Sequence, residues 1–77
     1  MGEVQFDFSA LKGRIVEKFG SCKAFAAAVN LPQSGVSARL NGTTPFRLND
    51  VWEWSKPELL DIPGEDIPRY FFTPKVR

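Results

Sequence analysis

Apolar residues recur three and four positions apart almost from the start of the chain. Phe8, Leu11, Ile15 and Phe19 would share one face of a helix, so the spacing predicts helix over 9–19. Asp7 or Ser9 can cap its start, and Gly20 suits a left-handed residue after its end. Ser21 is then a fresh N-cap for a second helix over 22–29, rich in alanine. Asn30 tolerates the left-handed region, so Asn30-Leu31-Pro32 reads as a tight turn. Gln33 to Leu40 forms a third helix with Val36 and Leu40 inward, closed by Asn41-Gly42.

The second half of the chain is less regular. A loop over 43–46 tucks Phe46 inside. Leu48, Val51, Trp52 and Ser55 repeat at helical spacing, so a fourth helix starts near Leu48 to Asp50. Pro57 cannot donate to the carbonyl of Glu53 and disfavours helix at Lys56, while Ser55-x-x-Glu58 has the form of a capping box. The expectation is a kink, or a break and restart, at 55–57. Pro63-Gly64 and Pro68 leave room for one short turn of helix over 65–70, and 71–76 reads as extended.

The expected fold is all-α: one domain over 1–77, four to five short helices in a compact bundle, and an extended tail over 71–77. The expected core is Phe8, Leu11, Ile15, Phe19, Phe25, Val29, Val36, Leu40, Phe46 and Val51. Trp52 and Trp54 stand two apart and cannot both face inward on one straight helix, so one is expected to be partly exposed, at an interface. For Tyr70, Phe71 and Phe72 two readings stay open. They close the core beneath the first helix, with two of the three favoured as core, or the tail pairs with a second protomer.

Composition removes several function classes. The chain has 77 residues, one cysteine and no histidine, so a metal site, an intramolecular disulfide and any cofactor are not expected. There is no ~20-residue apolar run for a membrane and no leader pattern over 1–8, which points to a cytoplasmic protein. Without a histidine, a nucleophile–base pair, paired carboxylates or a phosphate loop, an enzyme is not expected, nor is a small-molecule substrate. Asn41-Gly42-Thr43 fits a glycosylation pattern without any sign of secretion, and Cys22 lacks a partner for redox work.

Charge changes the picture more. Residues 9–47 hold six basic residues and one acid, a net of +5, whereas the rest holds four bases and eight acids, a net of −4. A basic half of this kind suits a polyanion.

The segment SCKAFAAAVNLPQSGVSARLNG over 21–42 is the candidate functional unit. A small residue, Ala26, stands where two helices would cross. Asn30 turns the chain, and Leu31, Val36 and Leu40 pack the second helix on the first. Such a hairpin can project a helix into a DNA major groove.

On Lys23-x-x-Ala26, Asn30-Leu31, Val36-Ser37 and Leu40-Asn41-Gly42, the chain resembles the lambda-repressor-like (Cro/CI-type) helix-turn-helix superfamily. FDFSALKGRIVEKFG, KAF, SARLNG and RYFFTPKV resemble small Cro-like proteins of phages and prophages of Gram-positive bacteria. The resemblance implies a dimeric repressor of a phage switch that binds double-stranded operator DNA. Gln33, Ser34, Ser37 and Ala38 would face base edges. By charge and hydrogen-bonding type, Ser21, Lys23, Arg39, Asn41, Thr43, Thr44 and Arg47 are candidates for contacts with the DNA backbone, and Tyr70, Phe71 and Phe72 are candidates for a homodimer interface in the second reading of the tail. Cys22 departs from the superfamily's usual glutamine, and Pro32 from its usual capping Ser or Thr. Lys12, Arg14 and Lys18 read as the solvated face of the first helix. The alternative is a protein-interaction module on the same scaffold, an antirepressor or antitoxin-like adaptor, motivated by the small outward residues of the third helix and the acidic C-terminal part.

Overall fold

The computed structural model describes residues 5–75. Val76 and Arg77, the end of the expected tail, lie outside them. Five α-helices follow in order: α1 (Ser9–Phe19), α2 (Cys22–Ala28), α3 (Gln33–Leu40), α4 (Leu48–Trp54) and α5 (Ile67–Phe71), with a 3-10 turn at Gly64–Asp66 before the last. The fold is all-α. Extended pairing among the described residues is limited to one antiparallel bridge between Phe6 and Pro74.

The first three helices form as local chemistry dictates. Asp7 accepts hydrogen bonds from the amide (2.9 Å) and hydroxyl (2.6 Å) of Ser9, which satisfies a free donor at the start of α1. Those two bonds hold the Asp7 carboxyl below the ordinary aspartate value. Gly20 ends α1 at φ 86°. The Ser21 hydroxyl accepts from the Ala24 amide (3.1 Å) and caps α2. Asn30 turns the chain at φ 60°, and the Leu31 amide donates to the Ala26 carbonyl (3.0 Å). Ala26 is buried, so its small side chain lets α3 pack closely on α2.

The core joins Leu11 and Ile15 of α1, Phe25 of α2, Val36 and Leu40 of α3, Val51 and Trp54 of α4, and Leu60, Ile62 and Phe71 from the C-terminal part. Trp54 is its hub, meeting Phe25 (4.8 Å, 82°) and Phe46 (4.9 Å, 88°) edge-to-face. Phe46 in turn meets Phe71 (5.3 Å) and Phe8 (5.1 Å). Phe8, Phe19, Val29 and Phe46, expected as core, are half-buried against this cluster.

Four local expectations need correction. First, α4 stops at Trp54 and does not restart. The Ser55 hydroxyl donates to the Val51 carbonyl (2.7 Å) instead of capping a new helix, and 55–60 is a run of turns. Leu60 and Ile62 then fold back, their amides donating to the Trp54 and Ser55 carbonyls (both 3.1 Å). Second, the inward residues of α4 and its cap are Val51, Trp54 and Ser55, whereas Leu48 and Trp52 point outward. Third, helix persists to Phe71, and the tail pairs with its own chain. The Asp7 amide donates to the Thr73 carbonyl (2.7 Å) and the Lys75 amide to the Gln5 carbonyl (2.8 Å).

The fourth correction concerns Arg14, which is not merely a solvated charge. Its guanidinium donates to the Leu60 carbonyl (2.8 Å) and the Asp61 carbonyl (2.9 Å), and also reaches Glu17 (3.2 Å). It therefore ties α1 to a turn where Asp61 sits at φ 52°. Charge-assisted bonds of this kind contribute more than neutral ones, so Arg14→Ala is expected to cost about 2 kcal/mol. Arg14→Lys recovers only part, because one ammonium cannot span both carbonyls as a planar fork does. Urea titrations of the two variants check both statements.

Candidate functional site

The hairpin of α2 and α3 stands as the sequence suggests, across a turn at 29–32. Gln33 and Ser34 are exposed at the start of α3, while Ser37 and Ala38 are half-buried. The outward surface of α3 is thus small, and only its exposed beginning offers polar groups freely.

Of the cations expected to hold phosphates, Arg39 is engaged within the fold. Arg39 is turned inward. Its Nε donates to Asp50 of α4 (3.1 Å) and its Nη1 to the Gly35 carbonyl (2.9 Å). Both partners of this ion pair are largely shielded, with side chains 13% and 18% exposed. A charge already neutralised within the fold adds little attraction to a polyanion. Lys23 and Arg47 are exposed on different elements, α2 and the head of α4.

The loop after α3 is also committed. The amides of Thr43 (2.9 Å) and Thr44 (3.1 Å) both donate to the Ala38 carbonyl, and Gly42 takes φ 81°. These amides close the helix end and are not available to a phosphate. Asn41 and Thr43 are exposed, Thr44 is half-buried, and Ser21 uses its hydroxyl oxygen to cap α2.

The tail aromatics are occupied within the chain. Phe71 is buried, and Tyr70 is half-buried beneath the guanidinium of Arg69 (5.5 Å). Phe72, partly exposed, packs edge-on against Phe6 (5.9 Å, 81°). Phe6, Phe71 and Phe72 line one side of a groove of about 360 Å³ closed by Phe46 and the loop at Asn41–Pro45. Of the two readings of these aromatics, the buried Phe71 and half-buried Tyr70 fit closure of the core, and the tail pairs with the chain's own N-terminal segment.

Sequence reasoning placed one exposed tryptophan at an interface without saying which, and did not include Leu48. Leu48 (80% exposed) and Trp52 (68% exposed) stand one turn apart on the outer side of α4. The signal was present in the two tryptophans two positions apart, of which one must face out. Only the structure shows that it is Trp52, and that Leu48 joins it.

Residues 4–74 match the family described as a protein of unknown function (DUF739). The chain belongs to that family. It is also similar to the solution structure of the modulator of repression (MOR) of the temperate bacteriophage TP901-1 from Lactococcus lactis. The two are 35% identical over 94% of this chain and 95% of that one, with a TM-score of 0.76. No curated protein matches the chain.

These findings correct the expected membership. A solved relative that spans the chain is a modulator of repression, not a Cro- or CI-type repressor, and the family is DUF739. The expected Cro-like repressor, its operator DNA and its homodimer fall with that membership. The inward turn of Arg39 and the closed loop at 42–44 give the physical side of the same correction.

Proposed function

We propose that this chain is a modulator of phage repression that acts by binding a repressor protein, the antirepressor-like alternative raised by the sequence. The observation that carries this reading is the 35% identity, spread over nearly the full length of both chains, to the phage modulator of repression. The local chemistry supports it. A DNA reader needs several cations facing one groove, whereas here Arg39 is paired with Asp50 and α3 presents small side chains. A protein partner instead needs exposed apolar area, which Leu48 and Trp52 offer. In the described residues no helix is long and apolar enough to cross a membrane. The chain acts in the cytoplasm, where a repressor works.

The test uses the purified repressor of the phage or prophage that carries this chain's gene, and the DNA around that gene. The expected result is a stoichiometric complex by size exclusion with light scattering, and altered repression of a reporter when the two are co-expressed. The chain alone should leave duplex DNA from the same region unshifted at physiological salt. Salt-sensitive binding of that duplex by the chain alone, with no complex formed with the repressor, would overturn the proposal.

A further inference from the structure

Two large apolar side chains on α4 contribute nothing to the core. Trp52 and Leu48 are 68% and 80% exposed, while their neighbours Val51 and Trp54 are buried. Together the pair offers roughly 300 Å² of apolar surface, counting the ring at ~200 Å². That is the scale of the largest apolar patch on a typical monomer, a patch that is often functional.

The acids beside this ridge are already paired. Asp50 holds Arg39 (3.1 Å), and Glu53 holds Lys56 (3.2 Å). The acids of α4 are therefore satisfied within the chain, and the exposed Arg47 borders the Leu48 end of the ridge. The complement of the ridge is an apolar pocket without a buried charge, since a charge there would lose its water and find no partner.

Area decides between a second copy and a different protein. A two-fold contact made by this ridge alone would bury about 600 Å², half of the ~1,200 Å² that a specific interface needs. A flat self-contact is therefore too small. A protein that offers a concave site gains more, because it wraps the indole on several sides. Tryptophan anchors of this type dominate binding where they are fully desolvated. The indole also has only two side-chain torsions to freeze on docking.

We propose that the Leu48–Trp52 ridge of α4 is the anchor by which this chain docks on its repressor, inserting into an uncharged apolar pocket of that protein. The assignment rests on the reading of the chain as a modulator of repression. It places the contact on α4, away from the exposed start of α3 that the hairpin would present to DNA.

The experiment measures affinity for the purified repressor of the phage or prophage that carries the gene, by calorimetry, for the native chain and for Trp52→Ala, Trp52→Phe, Leu48→Ala and Gln33→Ala. Trp52→Ala is expected to weaken the complex about 30-fold and Leu48→Ala severalfold, whereas Gln33→Ala stays within about twofold. Trp52→Phe should retain part of the affinity. Because Trp52 is outside the core, its variants should melt within about 2 °C of the native chain, which separates lost docking from lost folding. If the native complex forms and Trp52→Ala binds equally well, the ridge is not the anchor, although the modulator reading stands. Failure of the native chain to bind the repressor overturns both. A native chain that is dimeric by light scattering, and monomeric as Trp52→Ala, assigns the ridge to a second copy and overturns this proposal alone.

Discussion

Replacing Trp54 by alanine is expected to remove about 3–5 kcal/mol of folding stability, the range found when large aromatic side chains are deleted from packed cores. Trp54 is 1% exposed and holds Phe25 and Phe46 edge-to-face at 4.8 and 4.9 Å. It therefore joins α2 to the loop before α4, and through Phe46 it reaches Phe71 and Phe8. Removing the indole leaves a void that these rings can fill only by giving up their own contacts. A domain of this size has a total stability of about 5–10 kcal/mol, so the variant should melt some 15–30 °C lower or be largely unfolded at 37 °C. Thermal denaturation followed by far-ultraviolet circular dichroism measures it. Trp52→Ala, two residues earlier, is the internal control. A similar loss in both variants would contradict the assignment of one ring to the core and the other to the surface.

The second large effect is expected at Asp50, which does two things at once. One of its oxygens accepts from the Arg47 amide (3.0 Å), closing the first turn of α4. The same oxygen accepts from Arg39 (3.1 Å) on α3. Asp50→Ala loses the cap and leaves a partly buried guanidinium without its anion, at a cost of about 2–3 kcal/mol. Asp50→Asn keeps an acceptor for the amide and should cost about 1 kcal/mol. The double variant Arg39→Ala/Asp50→Ala should be less destabilised than the two single costs added together, because the penalty of the stranded charge is absent. Urea denaturation of the four proteins closes the cycle. Strict additivity would show that the pair contributes nothing.

Asp50 also explains why the sequence misleads about function. Arg39 lies at a position where a basic residue on a helix-turn-helix hairpin suggests a phosphate contact. Its actual partner is 11 residues away across a loop, a separation at which no periodicity speaks. The hairpin itself was legible. Gly20, Ser21, Asn30 and Pro32 punctuate α1 to α3 by local rules, and the bounds of α1 and α3 agree with the structure. The use of the hairpin was not legible, because the same backbone can present a helix to a groove of DNA or stand beside a surface that binds protein. That distinction depends on which charges the fold consumes.

The phase of α4 was lost for a related reason. Leu48, Val51, Trp52 and Ser55 form an apolar series on paper. The helix is short, however, and its rotation is set by the Asp50–Arg39 pair and by the chain that returns after Pro57. Leu60 and Ile62, which were not among the expected core residues, are buried beside Val51 and Trp54, whereas Leu48 and Trp52 are exposed. A sequence pattern that treats each helix alone cannot register a competitor arriving from ten residues downstream.

The clasp between Phe6 and Pro74 bears on the order in which the molecule assembles. The amides of Asp7 and Lys75 reach carbonyls on the far side of the sequence, so this pairing closes a loop that contains every helix. The entropy of that closure must be met before its two hydrogen bonds return anything. The contacts among α1, α2 and α3 join neighbours in sequence and form without it. The two terminal segments therefore come together after the helical bundle has brought them close, and they part first when the bundle breathes.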